Sequence, residues 1–282
     1  MKNKHYPNIF DKPVVRKREL ELFYNTSDKY FEELNRHDEE YFKKYINFLS
    51  KYTKENQKIL DLGCGNGRST YLLGKLKEGI LAIGCDISFK FLSGSSNFEN
   101  NNAAYLVTDA TNLPFKNEQI DIISSFQLIE HISEVEDLLC EMIRVLKNGG
   151  LIIIMSPNLL SPFPPLRSVL NRLFNRKVER GFSKGIYQNL RSSIKNIIIL
   201  LNKVRSGEIK FLFRKPSLEK SNLSPDSDSV YLANQVDLKK FLKKKGFKII
   251  NVAKGMSFIG IILAILFPCF SGEIGIVAKK EE

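Results

Sequence analysis

The 282-residue chain lacks cysteine pairs: Cys64, Cys85, Cys140 and Cys269 show neither metal-ligand spacing nor a disulfide framework. Three of them fall in apolar or glycine-rich segments, where a small buried thiol is expected. The chain also lacks the run of ~20 apolar residues that a bilayer-spanning helix needs. Its apolar run Met256–Phe270 is 15 residues long and contains Pro268. Met1 to Pro13 is polar, without the apolar core of a secretory signal, so the expected location is the cytoplasm. Internal repeats and low-complexity tracts are missing too. Acidic residues are outnumbered, 31 against 43 Lys and Arg, and the net charge of +12 draws the molecule to membranes, nucleic acid or acidic small molecules. With 43% hydrophobic and 26% charged residues the composition excludes disorder, and the length suits one large α/β domain with an insertion, or two small ones.

Hydrophobic spacing outlines the elements. Residues 1–35 are weakly patterned. Tyr41, Tyr45, Phe48, Leu49 and Tyr52 predict a helix over Arg36–Tyr52. Strands are predicted at Lys58–Leu62, Ile80–Cys85, Ala104–Thr108, Ile120–Ser124 and Leu151–Met155. Before the last of these, Ser133 and Glu136 have capping-box spacing, and Val135, Leu138, Leu139, Met142, Val145 and Leu146 form one apolar helix face. Asn148-Gly149-Gly150 is expected to stop that helix. The rhythm breaks after Pro157 and resumes with a helix at Val236–Lys245, ending at Gly246, and strands at Phe247–Ala253 and Glu273–Ala278.

Alternating strands and helices mean an open, mostly parallel sheet with helices on both faces and ligands at the carboxyl ends of its strands. The predicted fold is therefore a Rossmann-like α/β architecture. Residues 1–57 form an N-terminal helical extension, 58–158 the core, 159–229 a basic helical insertion, and 230–282 the end of the sheet with an apolar connector.

The strongest chemical signal is Ile59-Leu60-Asp61-Leu62-Gly63-Cys64-Gly65-Asn66-Gly67. A buried strand delivers a carboxylate suited to an ammonium group, then three glycines at alternate positions that let a ligand approach the backbone. A dinucleotide site would need a further glycine where Arg68 stands, so the pyrophosphate reading fails at its diagnostic position. Asp86 lies 25 positions after Asp61 at the end of the next strand, where a carboxylate can grip both hydroxyls of a ribose. Asp109-Ala110 ends the third strand and suits an adenine edge.

Together with Gly84-Cys85-Asp86, Thr108-Asp109-Ala110, Leu113-Pro114-Phe115, Ile129-Glu130-His131-Ile132 and Leu146-Lys147-Asn148-Gly149-Gly150-Leu151, this series resembles the class I S-adenosylmethionine-dependent methyltransferases. The resemblance covers about Lys58 to Asn158 and Val230 to Lys279. It implies seven strands with the last antiparallel, and S-adenosylmethionine as methyl donor. It also implies that Asp61, Gly63, Cys64, Gly65 and Gly67 line the methionine portion, that Asp86 and Ile87 hold ribose and adenine, and that Asp109 and Ala110 hold adenine. Phe126 is implied to pass beside the cofactor.

His131 has two readings, a general base or a structural hydrogen-bonding group at the helix entrance. Ubiquinone-biosynthesis O-methyltransferases resemble this stretch, and some are similar in placing two glutamates and a histidine around a divalent ion. Gln127 stands at the first of those positions, so no metal is predicted. A dedicated base is needed only if the acceptor is protonated at the working pH, because the sulfonium is already electrophilic and the protein mainly aligns the acceptor.

Leu159–Lys220 contains fourteen Lys and Arg against three Glu, which is +11 of the chain's +12. Its apolar stripes, Leu166, Val169, Leu170, Leu173 and Phe174, then Ile186, Leu190, Ile194, Ile197, Ile198 and Leu201, are bordered by Arg and Lys. That pattern fits a peripheral surface on an anionic membrane, or a lid over the acceptor pocket. The leading expectation is a methyltransferase for a small-molecule or lipid-like acceptor. An RNA methyltransferase gripping phosphates and a non-catalytic cofactor-binding module are the alternatives.

Overall fold

The computed structural model describes residues 9–98, 102–174, 185–219, 226–252 and 268–281. Two short strands, β1 (Ile9–Phe10) and β7 (Phe213–Arg214), pair antiparallel beside the main sheet. The main sheet holds β2 (Lys58–Leu62), β3 (Leu81–Asp86), β4 (Ala103–Val107), β5 (Ile120–Phe126), β6 (Leu146–Pro157), β8 (Phe247–Val252) and β9 (Glu273–Lys280). Their order is β4-β3-β2-β5-β6-β9-β8. Strand β9 runs antiparallel to both of its neighbours, and the pairs from β4 to β6 are parallel. The Rossmann-like sheet read from the sequence is therefore the sheet that forms.

Both faces of this sheet are covered, which is why its strands read as Ile-, Leu- and Val-rich runs. On one face Leu60, Leu62 and Ile152 pack with Leu138 and Met142 of α6 (Val135–Val145) and Leu238 of α9 (Gln235–Lys244). On the other face Ile59, Ile122 and Ile153 pack with Tyr45 and Leu49 of α3 (Glu39–Ser50) and Leu73 of α4 (Arg68–Gly74). Asp38 caps α3 by accepting from the Tyr41 N–H at 3.0 Å, and Asn234 caps α9 by accepting from the Asp237 N–H at 3.0 Å.

The weakly patterned N-terminus contains two helices, α1 (Lys17–Thr26) and α2 (Asp28–Asn35), separated by Ser27, whose hydroxyl accepts from the Tyr30 N–H at 3.3 Å. Two local expectations are corrected. Helix α6 has no side-chain cap, so Ser133 and Glu136 form no capping box. Asn148-Gly149-Gly150 does not end that helix. The helix stops at Val145, and the glycines lie inside the first turn-like bend of β6, with Gly149 at φ 75°. Leu146 already pairs with Ile120, and the irregularity between Ile120 and Ile122 accommodates the bend.

The insertion folds as α7 (Phe163–Leu173) and α8 (Ile186–Arg205), packed on each other. Lys203 of α8 pairs with Asp237 of α9 at 2.6 Å and ties the pair to the sheet's end. The apolar run Met256–Phe270 falls largely outside the described residues. Only its end, Pro268–Phe270, is seen as a short 3₁₀ turn. No helix among the described residues is long and apolar enough to cross a membrane.

Candidate active site

Strand order reverses between β2 and β5, and the crevice at the carboxyl ends of strands beside such a switch point is where open α/β sheets bind ligands. A cleft of about 840 Å³, counting its open mouth, lies there. Its floor comes from the strand ends: Gly63 and Gly65 after β2, Asp86 and Ile87 after β3, Thr108, Asp109 and Ala110 after β4, and Gln127 and Leu128 after β5. Its cover comes from α1 and α2, through Leu20, Tyr24, Tyr30 and Leu34.

The glycine bend is built as the sequence requires. Gly63 takes φ 72°, and an added Cβ would lie 2.8 Å from Cδ1 of Leu128. Gly67 takes φ 87° at the entrance to α4, and its Cβ would lie 2.6 Å from the Tyr105 ring. Gly63 and Cys64 donate backbone N–H bonds to the Cys85 carbonyl at 2.8 and 3.1 Å, which locks the bend to the end of β3. There Asp86 accepts from the Gly65 N–H and the Ser88 N–H, both at 2.9 Å. Burial outweighs these two bonds and, with Asp61 nearby, raises the Asp86 carboxyl to about 6.

At the next strand end, Lys17 of α1 reaches across to Asp109 and Glu134, each at 2.7 Å. Burial would raise the Asp109 carboxyl, but Lys17 and the Thr111 donors overcome it and hold it below its ordinary value. Helix α1 is thus clasped over the β4 side of the cleft.

The opposite end is a buried polar cluster. His131, in a 3₁₀ turn at Ile129–His131, has Nδ1 3.0 Å from Oδ2 of Asp228 and Nε2 3.7 Å from Oε1 of Glu130. Tyr24 donates to the same Asp228 oxygen at 3.1 Å. Burial alone would lower the imidazole, yet Asp228, Glu130 and Asp226 lift it to about 9. Burial likewise pushes Glu130 up to about 7, even though His131 and the Ser156 hydroxyl at 2.9 Å oppose it. The reciprocal effect of His131 overcomes burial at Asp228 and depresses it to about 2. Arg214 of β7 joins through Nε, which donates to the Ser229 carbonyl at 3.0 Å. Among the described residues no group of His, Cys, Asp and Glu side chains is arranged to hold a metal ion.

Residues 60–154 match a family described as a methyltransferase domain. The chain carries a class I, S-adenosylmethionine-dependent methyltransferase domain. Over 118 residues, 40% of this chain and 40% of the relative, it is 30% identical to norajmaline N-methyltransferase of Rauvolfia serpentina. Over 99 residues, 34% of this chain and 23% of the relative, it is 37% identical to a tRNA (carboxymethyluridine(34)-5-O)-methyltransferase of Arabidopsis thaliana. The matches thus span less than half of either relative's length. A magnesium protoporphyrin IX methyltransferase from Synechocystis PCC 6803, solved with bound SAH, shares the fold. Its TM-score is 0.54 at 12% identity, covering 94% of this chain and 99% of that one.

Within this methyltransferase domain the structure brings Gly63, Gly65, Asp86, Ile87, Asp109, Ala110 and His131 to one cleft. It does not bring Asp61, Cys64, Gly67 or Phe126 to the cleft wall. Asp61 is 1% exposed and serves as a buried hub. Its oxygens accept from Tyr45 at 2.9 Å, Ser69 at 2.6 Å, Thr70 at 2.9 Å and Ser124 at 3.3 Å. No oxygen is left aimed at an ammonium group, and burial raises the carboxyl despite those hydroxyls. Cys64 is buried in the bend, and burial pushes its thiol well up. Phe126 stacks on Tyr45 at 4.7 Å on the far face of the sheet, and Gln127, at φ 55°, turns the chain back so that Leu128 meets the cleft instead.

Sequence reading missed Tyr24, Tyr30, Lys17 and Asp228. The first two carried a signal, since Leu20, Phe23 and Tyr24, then Tyr30, Phe31 and Leu34, recur at helical spacing over short stretches. Asp228 carried none. It meets Tyr24 from 204 positions away.

Proposed function

We propose that the chain transfers the methyl group of S-adenosylmethionine to a small-molecule or lipid-like acceptor. The observation that supports this most is Asp86, whose carboxylate lines the cleft with each oxygen fixed by one backbone N–H, beside a bend without side chains. That arrangement suits a ribose whose two hydroxyls donate to one carboxylate, and an attached chain lying against Gly63 and Gly65. Ile87 and Ala110 would flank the adenine and Asp109 its edge. Asp61, Cys64, Gly67 and Phe126 would support these groups from behind.

When bound, S-adenosylmethionine supplies a methyl group on a sulfonium, ready for in-line attack. The chain's own residues position the acceptor and exclude water. Leu20, Tyr24, Tyr30 and Leu34 roof the cleft with apolar and ring surface. His131, held by Asp228, keeps its proton at neutral pH. It would therefore act as a donor that orients an acceptor oxygen or anion, rather than as the general base. The insertion helices α7 and α8 supply no described cleft-lining residue. The lid would be α1 and α2, and the insertion would serve peripheral membrane contact. An RNA acceptor is favoured less, because among the described residues of the insertion exposed aliphatic side chains far outnumber the exposed rings, Phe174 and Tyr187.

Calorimetry tests the cofactor half of this reading. The full chain should bind S-adenosylmethionine, with affinity flat near neutral pH and falling about tenfold per pH unit below the Asp86 value of about 6. The sign follows from the ribose needing the ionised carboxylate, which protonation removes. Absence of binding, or a flat acid limb, would overturn the assignment of Asp86. A chain that binds tightly yet methylates no acceptor in a panel of phenols, amines and lipids would point to a non-catalytic module.

Asp228→Asn should drop the His131 pKa from about 9 toward neutrality, followed by imidazole NMR. The variant should gain an alkaline loss of acceptor binding that begins lower than in the parent, with cofactor affinity unchanged. An unmoved imidazole titration would show that Asp228 is not its counterion.

A further inference from the structure

Helix α8 turns its polar side toward the protein. Asn189 Nδ2 donates to the Ser168 hydroxyl at 3.1 Å, Ser193 Oγ to the Pro162 carbonyl at 2.7 Å, and Asn196 Nδ2 to the Ser161 carbonyl at 3.1 Å. At the other end Lys203 is buried against Asp237. These bonds, spaced along the helix, fix its rotation. They leave Ile194, Ile198 and Leu201 exposed at 58, 54 and 41%. On α7 Leu170 and Leu173, and just past its end Phe174, are exposed at 47, 61 and 68%. Single exposed aliphatic residues are ordinary, but rows of them on two adjoining helices mark a contact surface.

Charge selects the occupant. The segment holding both helices carries +11. Arg191 and Arg205 are exposed one turn from Ile194 and Leu201, and Arg167 is exposed on α7. Aliphatic side chains next to arginines match the acyl boundary and phosphate headgroups of an acidic leaflet. Bases of RNA would instead need a row of exposed rings, whereas Phe174 and Tyr187 stand singly among nine exposed aliphatic side chains in the described part of this segment. We propose that α7 and α8 form a docking surface for an anionic lipid bilayer. The proposal rests on the lipid-like acceptor reading for its purpose, while docking itself needs no methyl transfer.

The test is flotation of the full chain with vesicles of phosphatidylcholine alone, and of phosphatidylcholine mixed with phosphatidylglycerol. The protein should float with the mixture, less so as salt rises, and not with the neutral vesicles. Ile194→Glu with Ile198→Glu should weaken vesicle binding at least ~10-fold, while S-adenosylmethionine binding, measured by calorimetry, stays unchanged. Arg191→Glu with Arg205→Glu, which leaves the aliphatic row intact, should weaken it by a similar factor should the first pair fail to fold. Flotation of both variants like the parent would overturn the proposal. So would a lipid-free dimer that the isoleucine variant splits, or parent protein that binds tRNA but no vesicle. If the parent floats but fails to bind S-adenosylmethionine, the methyltransferase reading falls and this one stands.

Discussion

Asp86→Ala weakens S-adenosylmethionine binding about 100-fold and leaves the protein folded. Two hydrogen bonds to a charged acceptor are worth about 3 kcal/mol together, which is that factor in affinity. The fold should tolerate the change, since burial already makes the ionised carboxylate unfavourable in the free protein. Asp86→Asn, which keeps one acceptor oxygen but no charge, should lose about tenfold. Calorimetry reads both values, and a thermal melt reads the fold. A loss under about threefold for alanine would mean that the ribose lies elsewhere, because no charge-assisted pair is that weak.

A stability measurement answers for Asp61. Asp61→Ala should lower unfolding free energy by about 3 kcal/mol, seen as a lower urea midpoint at unchanged slope. The substitution strands the hydroxyls of Tyr45, Ser69, Thr70 and Ser124 around a cavity, in a site with no access to solvent. Asp61→Asn should recover roughly half of the loss, because Ser69 or Thr70 can turn its hydroxyl to accept from the amide. Cofactor affinity should fall in both variants only as far as the bend between Gly63 and Gly67 loosens. If Asp61→Ala were as stable as the parent but bound no cofactor, Asp61 would touch the ligand after all.

These two aspartates show what the sequence could convey. Asp61 lies one residue before the end of β2 and Asp86 ends β3, and both suggested ligand contact. Asp86 turns toward the cleft and Asp61 does not, because Ser69 and Thr70, just inside α4, wrap back onto it. Hydroxyl residues eight and nine positions further on carry no distinctive spacing, so that capture was not legible. Phe126 stands away from the cleft for a different reason: four positions after Ile122, it shares that residue's face of β5 toward α3, and the resemblance that implied it carried no information on the face it takes. The central strands were legible because each carries a short apolar run buried on both faces. The N-terminal wall of the cleft was not, because helices of 10 and 8 residues give too few repeats to stand out.

The bond between Tyr24 and Asp228 has a consequence for how the protein is made. One wall of the cleft leaves the ribosome 204 residues ahead of the carboxylate that fixes His131 against it. The strands of the sheet's centre can pair before that moment, but the acceptor end cannot. A nascent chain stalled in the insertion would hold the cleft with its imidazole untethered, so the proposed methyl transfer would wait for Asp228 to emerge.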